Sequence, residues 1–352
     1  METVATAVPH SEPLHPPKAH SNRIIRHFRV GSTNVGPLGF VEGGTLLEWI
    51  DTAACDTATR WSGHRCVAVS VGGFHLTRPI GIGDFVELDA AVVHTGRSSI
   101  HVLVVLGTGG AALQTVQCPM VFVVVDESGH PVEAPTWTPL TMLELQRHWQ
   151  ARVRTRMRTL IEAAMDFDDC YTATIPGTSA PCATRHVLVG PADADVNGGV
   201  HAGRVMRWMD EAAQVCAGDW TRAQAITSYL AGIRFHRSIA VGDAVEITAR
   251  VIHTEPRSVH TGIRVTVDAD GDRRLLAHGV AVMVSLGGGA EAVPMWQPSS
   301  EADRRLKERA RRLVALRPFT ESLTAAAPTL GHRDSGCRGS RGNGEISSAA
   351  TA

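Results

Sequence analysis

Val205-Met206-Arg207-Trp208-Met209-Asp210-Glu211-Ala212-Ala213, entered through Asn197-Gly198-Gly199-Val200-His201-Ala202-Gly203, has an earlier twin in Leu46-Leu47-Glu48-Trp49-Ile50-Asp51-Thr52-Ala53-Ala54. The twin follows Gly39-Phe40-Val41-Glu42-Gly43-Gly44, and Asp210 lies 159 positions after Asp51. The same offset carries Arg78-Pro79-Ile80-Gly81-Ile82-Gly83-Asp84 onto Arg237-Ser238-Ile239-Ala240-Val241-Gly242-Asp243. It also carries Pro135-Thr136-Trp137-Thr138-Pro139 onto Pro294-Met295-Trp296-Gln297-Pro298. Gly96-Arg97-Ser98 answers to Pro256-Arg257-Ser258 after a one-residue insertion. An offset held over about a hundred residues is an internal duplication. The chain is one domain written twice.

Within each copy the period of the apolar residues gives the elements. Leu46, Leu47, Ile50, Ala53, Ala54, Thr57, Ala58 and Trp61 form one broad helical stripe, with Glu48, Thr52, Asp56, Thr59 and Arg60 opposite. So wide an arc predicts a helix enclosed by other structure, opening near Thr45 after a glycine-rich loop. A first strand is expected over Ile24 to Val30. Past Gly63 the period turns to two: Val86, Leu88, Ala90 and Val92 alternate with Glu87, Asp89, Ala91 and Val93. Ser98–Leu106 and Gln114–Val125 read as further long antiparallel strands. The expectation is an α+β fold in which each copy wraps an antiparallel sheet around one central helix. The boundaries follow: tail 1–21, first domain 22–137, charged helix and linker 138–182, second domain 183–296, charged helix 297–318, disordered tail 319–352.

Composition removes several function classes. The apolar share is 43%, the charged share 20% and the formal net charge −1, which suits a soluble globular chain with no field favouring nucleic acid or an anionic membrane. The arginines of the segment from Met142 to Met165 read as a solvated amphipathic helix balanced by Glu144 and Glu162; those from Glu301 to Leu316 are balanced by Glu301, Asp303 and Glu308. Seven cysteines (55, 66, 118, 170, 182, 216, 337) show no CxxC, so reduced packing thiols in a reducing compartment are expected. Residues 1–21 lack the apolar run of a signal peptide, and no stretch approaches a membrane span, which points to the cytoplasm. The 17 histidines show no HxH or HExxH, and no glycine pair stands in a GxGxxG or GK[ST] context. Neither a metal nor another cofactor is expected.

The Asn-Gly-Gly-Val-His-Ala-Gly loop, the Met-Arg-Trp-Met-Asp-Glu-Ala-Ala helix and Phe235 before Ile239 and Gly242-Asp243 resemble the hotdog-fold acyl-CoA thioesterases. Gly96-Arg97-Ser98-Ser99 is of the same kind. Two such units, each trailed by a charged helix, are similar to the cytosolic double-hotdog acyl-CoA hydrolases, over residues 22–165 and 183–316. The resemblance implies two tandem hotdog domains with active sites between them, acyl-CoA as substrate, and an assembly of such chains. One unit gives the Asn and the loop; the other gives the helix Asp. Two composite sites result: Asn197, His201 and Gly203 with Asp51, and the first loop with Asp210. The second is incomplete, because Leu38 stands at the position of Asn197 and Glu42 at that of His201.

The chemistry agrees with the residues themselves. Thioester hydrolysis needs an activated water and a place for the oxyanion. A carboxylate serves as general base or attacks directly, and amides at a helix N-terminus suit developing negative charge. Gly43, Gly44 and Gly203 would let a substrate approach those amides, and Asn197 would hold the water or the carbonyl. Asp51 sits at the edge of the apolar stripe, where partial desolvation would strengthen it as a base. A single helical Asp reads as solvated surface; the same wheel position in both copies, after a glycine loop, turns Asp51 and Asp210 into site candidates. His201 alone reads as a loop histidine, and Arg97-Ser98-Ser99 as a turn entering a strand or as a contact for CoA phosphate or pantetheine. A non-catalytic acyl-CoA-binding protein on the same fold is the alternative. An enoyl-CoA hydratase ranks last, since the Asn-loop-then-Asp order does not suit it.

Overall fold

The computed structural model describes residues 21–76, 78–109, 116–164, 179–194, 199–269, 272–286 and 293–325. The first half runs β1 (Arg23–Arg29), α1 (Gly43–Ser62), β2 (Arg65–Val71), the short β3 (Phe74–His75), β4 (Phe85–Thr95), β5 (Ser99–Thr108), β6 (Val116–Val125) and α2 (Met142–Ala164). The second repeats it as β7 (Cys182–Leu188), α3 (Ala202–Thr221), β8 (Ala225–Phe235), β9 (Ala244–Glu255), β10 (Ser258–Ala269), β11 (Asp272–Ser285) and α4 (Glu301–Ala325). The first strand begins one residue before the expected start, and α1 two residues before Thr45.

The strands form one antiparallel sheet in the order β1-β4-β5-β6-β2-β8-β11-β10-β9-β7, with β3 paired to β8. Under the 159 offset this order is the same read from either end, and its midpoint is the join between β2 and β8. That join is short: Ser70 faces Arg234 and Val71 faces Ile233, while Phe74 faces Leu230 and His75 faces Tyr229 across β3 and β8. A local twofold therefore passes between the halves.

The sheet wraps both central helices. Leu46, Leu47, Ile50, Ala53 and Ala54 of α1 and Met206, Met209, Ala212 and Ala213 of α3 are buried in one continuous apolar cluster with Val86, Leu88, Ala90 and Val92 of β4 and Val245, Ile247, Ala249 and Val251 of β9. Each large aliphatic side chain so enclosed contributes about 1.5–3 kcal/mol. The cores of the two halves are continuous, and a cut between them exposes apolar surface on both.

Small details repeat as well. Trp61 Nε1 donates to the Pro135 carbonyl at 3.1 Å and Trp220 Nε1 to that of Pro294 at 2.9 Å. Trp137 N–H reaches Thr95 Oγ1 and Trp296 N–H reaches Thr254 Oγ1, both at 2.9 Å. These contacts pin the segments that lead into α2 and α4, whose first turns are bonded by Thr141 with Glu144 and by Ser300 with Asp303. Ion pairs Arg304–Glu301, Arg305–Glu301 and Arg312–Glu308 mark the outer face of α4 as solvated, while Leu306 and Ala310 on its inner face join the core. The helix runs to Ala325, past the boundary expected at 318. The expected linker 166–181 falls largely, and the tails 1–20 and 326–352 fall wholly, outside the described residues. Five cysteines are described (55, 66, 118, 182, 216), and all are free thiols. Among the described residues no helix is long and apolar enough to cross a membrane.

Candidate active site

The two central helices meet backbone to backbone, and glycine makes this possible. A Cβ on Gly44 would lie 2.9 Å from the Cα of Arg207, and one on Gly203 would lie 2.9 Å from the Cα of Glu48. These contacts are equivalent by the offset, so α1 and α3 cross on the local twofold. Glu48 and Arg207, themselves equivalent positions, pair across it at 2.9 Å, and Arg204 Nη1 reaches Glu48 at 3.3 Å. Each helix is entered through an extended residue, Glu42 for α1 and His201 for α3. The residue before it is pinned alike in both halves: Val41 N–H donates to Ile80 O at 2.8 Å, and Val200 N–H to Ile239 O at 2.9 Å.

The crossing brings each helix carboxylate to the first turn of the other helix. Gly203 N–H donates to Asp51 Oδ2 at 2.8 Å, and Gly44 N–H donates to Asp210 Oδ2 at 2.8 Å. Both carboxylates are buried, Asp51 at 2% and Asp210 at 0% exposure. Burial, which disfavours the charged form, pushes both up to about 6. The desolvation expected for Asp51 is thus complete rather than partial. The Gly44 and Gly203 amides are engaged by these carboxylates, and their missing side chains allow the close approach of the helices. Gly43 is equally confined, since a Cβ there would meet the Thr227 side chain at 2.8 Å.

Beyond the shared contact the two carboxylates differ. Asp210 also accepts a hydrogen bond from Thr227 Oγ1 on Oδ1 and one from Gln214 Nε2 on Oδ2, the latter at 2.8 Å. Asp51 Oδ1, equally buried, has no hydrogen-bond partner among the described residues. The cause lies in two positions: Ala68 stands where the second half has Thr227, and Cys55 where it has Gln214. Neither replacement offers an equivalent donor, and the Cys55 thiol is pushed far up by burial, with the Asp51 charge next in importance. The helix motif alone does not mark Thr227 and Gln214; the same offset, carried past it, points to both. The residues at the helix entrances also act in opposite directions: His201 favours the ionised form of Asp51, whereas Glu42 disfavours that of Asp210.

Of the other candidates, Asn197 lies outside the described residues. Leu38, its counterpart, is 37% exposed in the loop before α1. Arg97, Ser98 and Ser99 form the tight turn between β4 and β5, with Gly96 N–H on Ser99 O, Val124 N–H on Ser98 O and Ala134 N–H on Arg97 O. Their backbone is used to hold the turn, and no contact among the described residues ties them to either carboxylate. No group of three or more metal-binding side chains is found among the described residues.

A profile of the thioesterase superfamily matches residues 38–113 and 197–273. The two matches start 159 residues apart, at the loops that lead into α1 and α3. Both halves of the chain are thus similar to the thioesterase superfamily. It is 29% identical over 293 residues to the cytosolic acyl coenzyme A thioester hydrolase of Rattus norvegicus, covering 77% of this chain and 72% of that one. With the Homo sapiens protein of the same name it shares 28% over 263 residues, 70% of this chain and 67% of the other. Among solved structures, the 12:0-ACP thioesterase from Umbellularia californica aligns over 76% of this chain and 95% of its own with a TM-score of 0.54 at 11% identity. That likeness is one of fold, the hotdog thioesterase fold.

Proposed function

We propose that this protein is an acyl-CoA thioesterase built as two tandem hotdog domains, 22–137 and 183–296, and that it cleaves acyl-CoA to the free acid and CoA between them. The observation that carries the reading is the crossed pair of buried carboxylates, each held by the first-turn amide of the other helix, with a spare oxygen on Asp51 alone. Relatives named acyl-CoA thioester hydrolases support the substrate class.

The Gly203 amide fixes Asp51 through Oδ2 and leaves Oδ1 free. Raised to about 6, Asp51 is ionised at neutral pH and is a stronger base than an ordinary carboxylate. Oδ1 takes a proton from water as the oxygen attacks the thioester carbonyl. The tetrahedral intermediate then collapses, the C–S bond breaks, and the proton is returned to the departing thiolate. Asn197 supplies the amide that holds the attacking water or the polarised carbonyl, and His201 and Gly203 line the substrate from the cap and first turn of α3. Asp210, with three donors, anchors the opposite loop, and the site around it stays silent. A location in the cytoplasm and an assembly of several such chains go with this reading.

The test is thiol release measured over a series of acyl-CoA chain lengths, with Asp51→Asn as the control. Release lost in the control supports the assignment. Saturable CoA-ester binding without any thiol release would favour the binding-protein alternative.

A further inference from the structure

We infer that the residue capping each central helix decides which composite site admits an anionic thioester: His201 opens the Asp51 site, and Glu42 closes the Asp210 site. The inference rests on the thioesterase reading above and adds the basis of site choice.

The two caps hold the same backbone position and differ in chemistry. His201 and Glu42 are equivalent by the offset, and both cap a helix in an extended conformation. Each stands two residues before the glycine whose amide holds a buried carboxylate at 2.8 Å. The cap is therefore at the mouth of the site whose base lies behind it. At one mouth Asp51 presents a buried oxygen without a partner; at the other Asp210 is fully engaged.

One helical turn further on, the contrast repeats. Arg204 follows His201 in the first turn of α3, where α1 has Thr45. Arg204 contacts Asp193 at 2.8 Å and Glu48 at 3.3 Å, and its side chain stays 36% exposed. Glu42 turns back over the loop: a Cβ on Gly36 would lie 2.9 Å from its Cδ. That loop would have to receive substrate at the Asp210 site, so the carboxylate of Glu42 sits on the approach. The other charges near Asp51 are Glu48 and Asp56, and both are paired, Glu48 with Arg207 and Arg204 and Asp56 with Arg26.

A CoA ester carries several phosphate charges. A cleft lined by one sign of charge changes the local concentration and capture rate of a charged ligand by about 10- to 10³-fold, and the effect is weakened by salt. A cap without negative charge at one mouth and a carboxylate at the other would divide the sites in this way.

Two measurements on the full chain decide it. His201→Glu is assayed on an acyl-CoA and on the matching N-acetylcysteamine ester, which lacks the phosphates. The kcat/KM ratio of CoA ester to uncharged ester should fall by roughly tenfold or more at low salt and recover as salt is added. In parallel, calorimetric titration with CoA should give one equivalent per chain for the native protein and two for Glu42→His. Equal losses on both esters would mean that His201 acts in the chemistry itself, and a stoichiometry of one in Glu42→His would mean that Glu42 does not bar the second site. Either result overturns the inference. Absence of turnover on both esters in the native protein would instead overturn the thioesterase reading, and the titration would still report on the caps.

Discussion

Asp51 and Asp210 occupy the same position on equivalent helices, each accept an amide from the other helix at 2.8 Å, and are both pushed up to about 6, chiefly by burial. One nevertheless keeps an unused oxygen and the other none. The difference comes from two neighbours, Ala68 against Thr227 and Cys55 against Gln214, rather than from the helices. In the duplicated fold both carboxylates join the helix crossing, and on the proposed function only one has to remain available for chemistry. Once a gene carries two copies, one carboxylate can be fully hydrogen-bonded for stability while the other retains the cost of an unsatisfied buried group.

The sharpest way to break this comparison is to remove each charge. Asp51→Asn should lose about 10² to 10⁴ in kcat, whereas Asp210→Asn should keep most turnover per folded molecule. Stability should move in the opposite sense. Both carboxyls are raised from 3.8 to about 6, so the stability each contributes is present below pH 4 and lost as the pH rises through 6. In the same window kcat/KM should rise as Asp51 ionises. Asp51→Asn therefore removes a destabilising charge at about pH 8 and should raise the melting temperature there. Asp210→Asn disturbs three donors and should lower it. Equal kinetic losses in the two variants would show that both sites act.

The next largest effect concerns the loop. Asn197→Ala should lower kcat by roughly 2 to 4 kcal/mol in barrier terms and leave KM nearly unchanged, as for a donor that acts in the transition state. Melting curves on the same preparation separate this from a capping role; a lower melting temperature with unchanged turnover would remove Asn197 from the mechanism.

A smaller effect tests the pairing of the halves. Glu48 and Arg207 are equivalent positions that meet on the local twofold, so a half paired with its own copy would set Glu48 against Glu48 or Arg207 against Arg207. Glu48→Arg and Arg207→Glu should each destabilise, and the double exchange should restore stability with a coupling of about 1 kcal/mol by chemical denaturation. Additive losses would deny the pair any part in matching the halves. The smallest effect is local. Gly63 closes α1 at a φ of 71°, and Arg222 closes α3 at 55°, a conformation that costs an L residue about 1 kcal/mol. Arg222→Gly should therefore be neutral to stabilising, by up to roughly 1 kcal/mol after the entropy of glycine is counted.

Much of the frame is legible in the order of residues alone. The offset locates both helices, their glycine entrances and the one aspartate in each that is buried, because helical and strand periods reflect which face meets the core. The partners of those aspartates are not legible in the same way. Thr227 and Gln214 lie 17 and 4 residues beyond Asp210, and nothing in the period of either segment says that their side chains converge on one carboxylate. The glycines serve the contact between the helices, which the sequence does not announce, since it marks where the backbone is bare and not what comes close to it. The extension of α4 to Ala325 runs through Pro318, a residue that in a sequence alone signals a stop.

The short join between β2 and β8 has a consequence for solubility. In the fused sheet β1 and β7 are the terminal strands, and both carry charge: Arg23, Arg26 and Arg29 on one, Arg185 on the other. Charged side chains on a bare strand discourage the unpaired N–H and C=O groups from recruiting a strand of another molecule. The strands β2 and β8 have less of this protection; Val67, Val69 and Val71 of one and Ile226, Leu230 and Ile233 of the other are apolar. Each half alone would carry one guarded edge and one adhesive edge. Covalent linkage keeps the adhesive edges at high local concentration from the moment of synthesis, so that they find each other before they find a neighbouring chain.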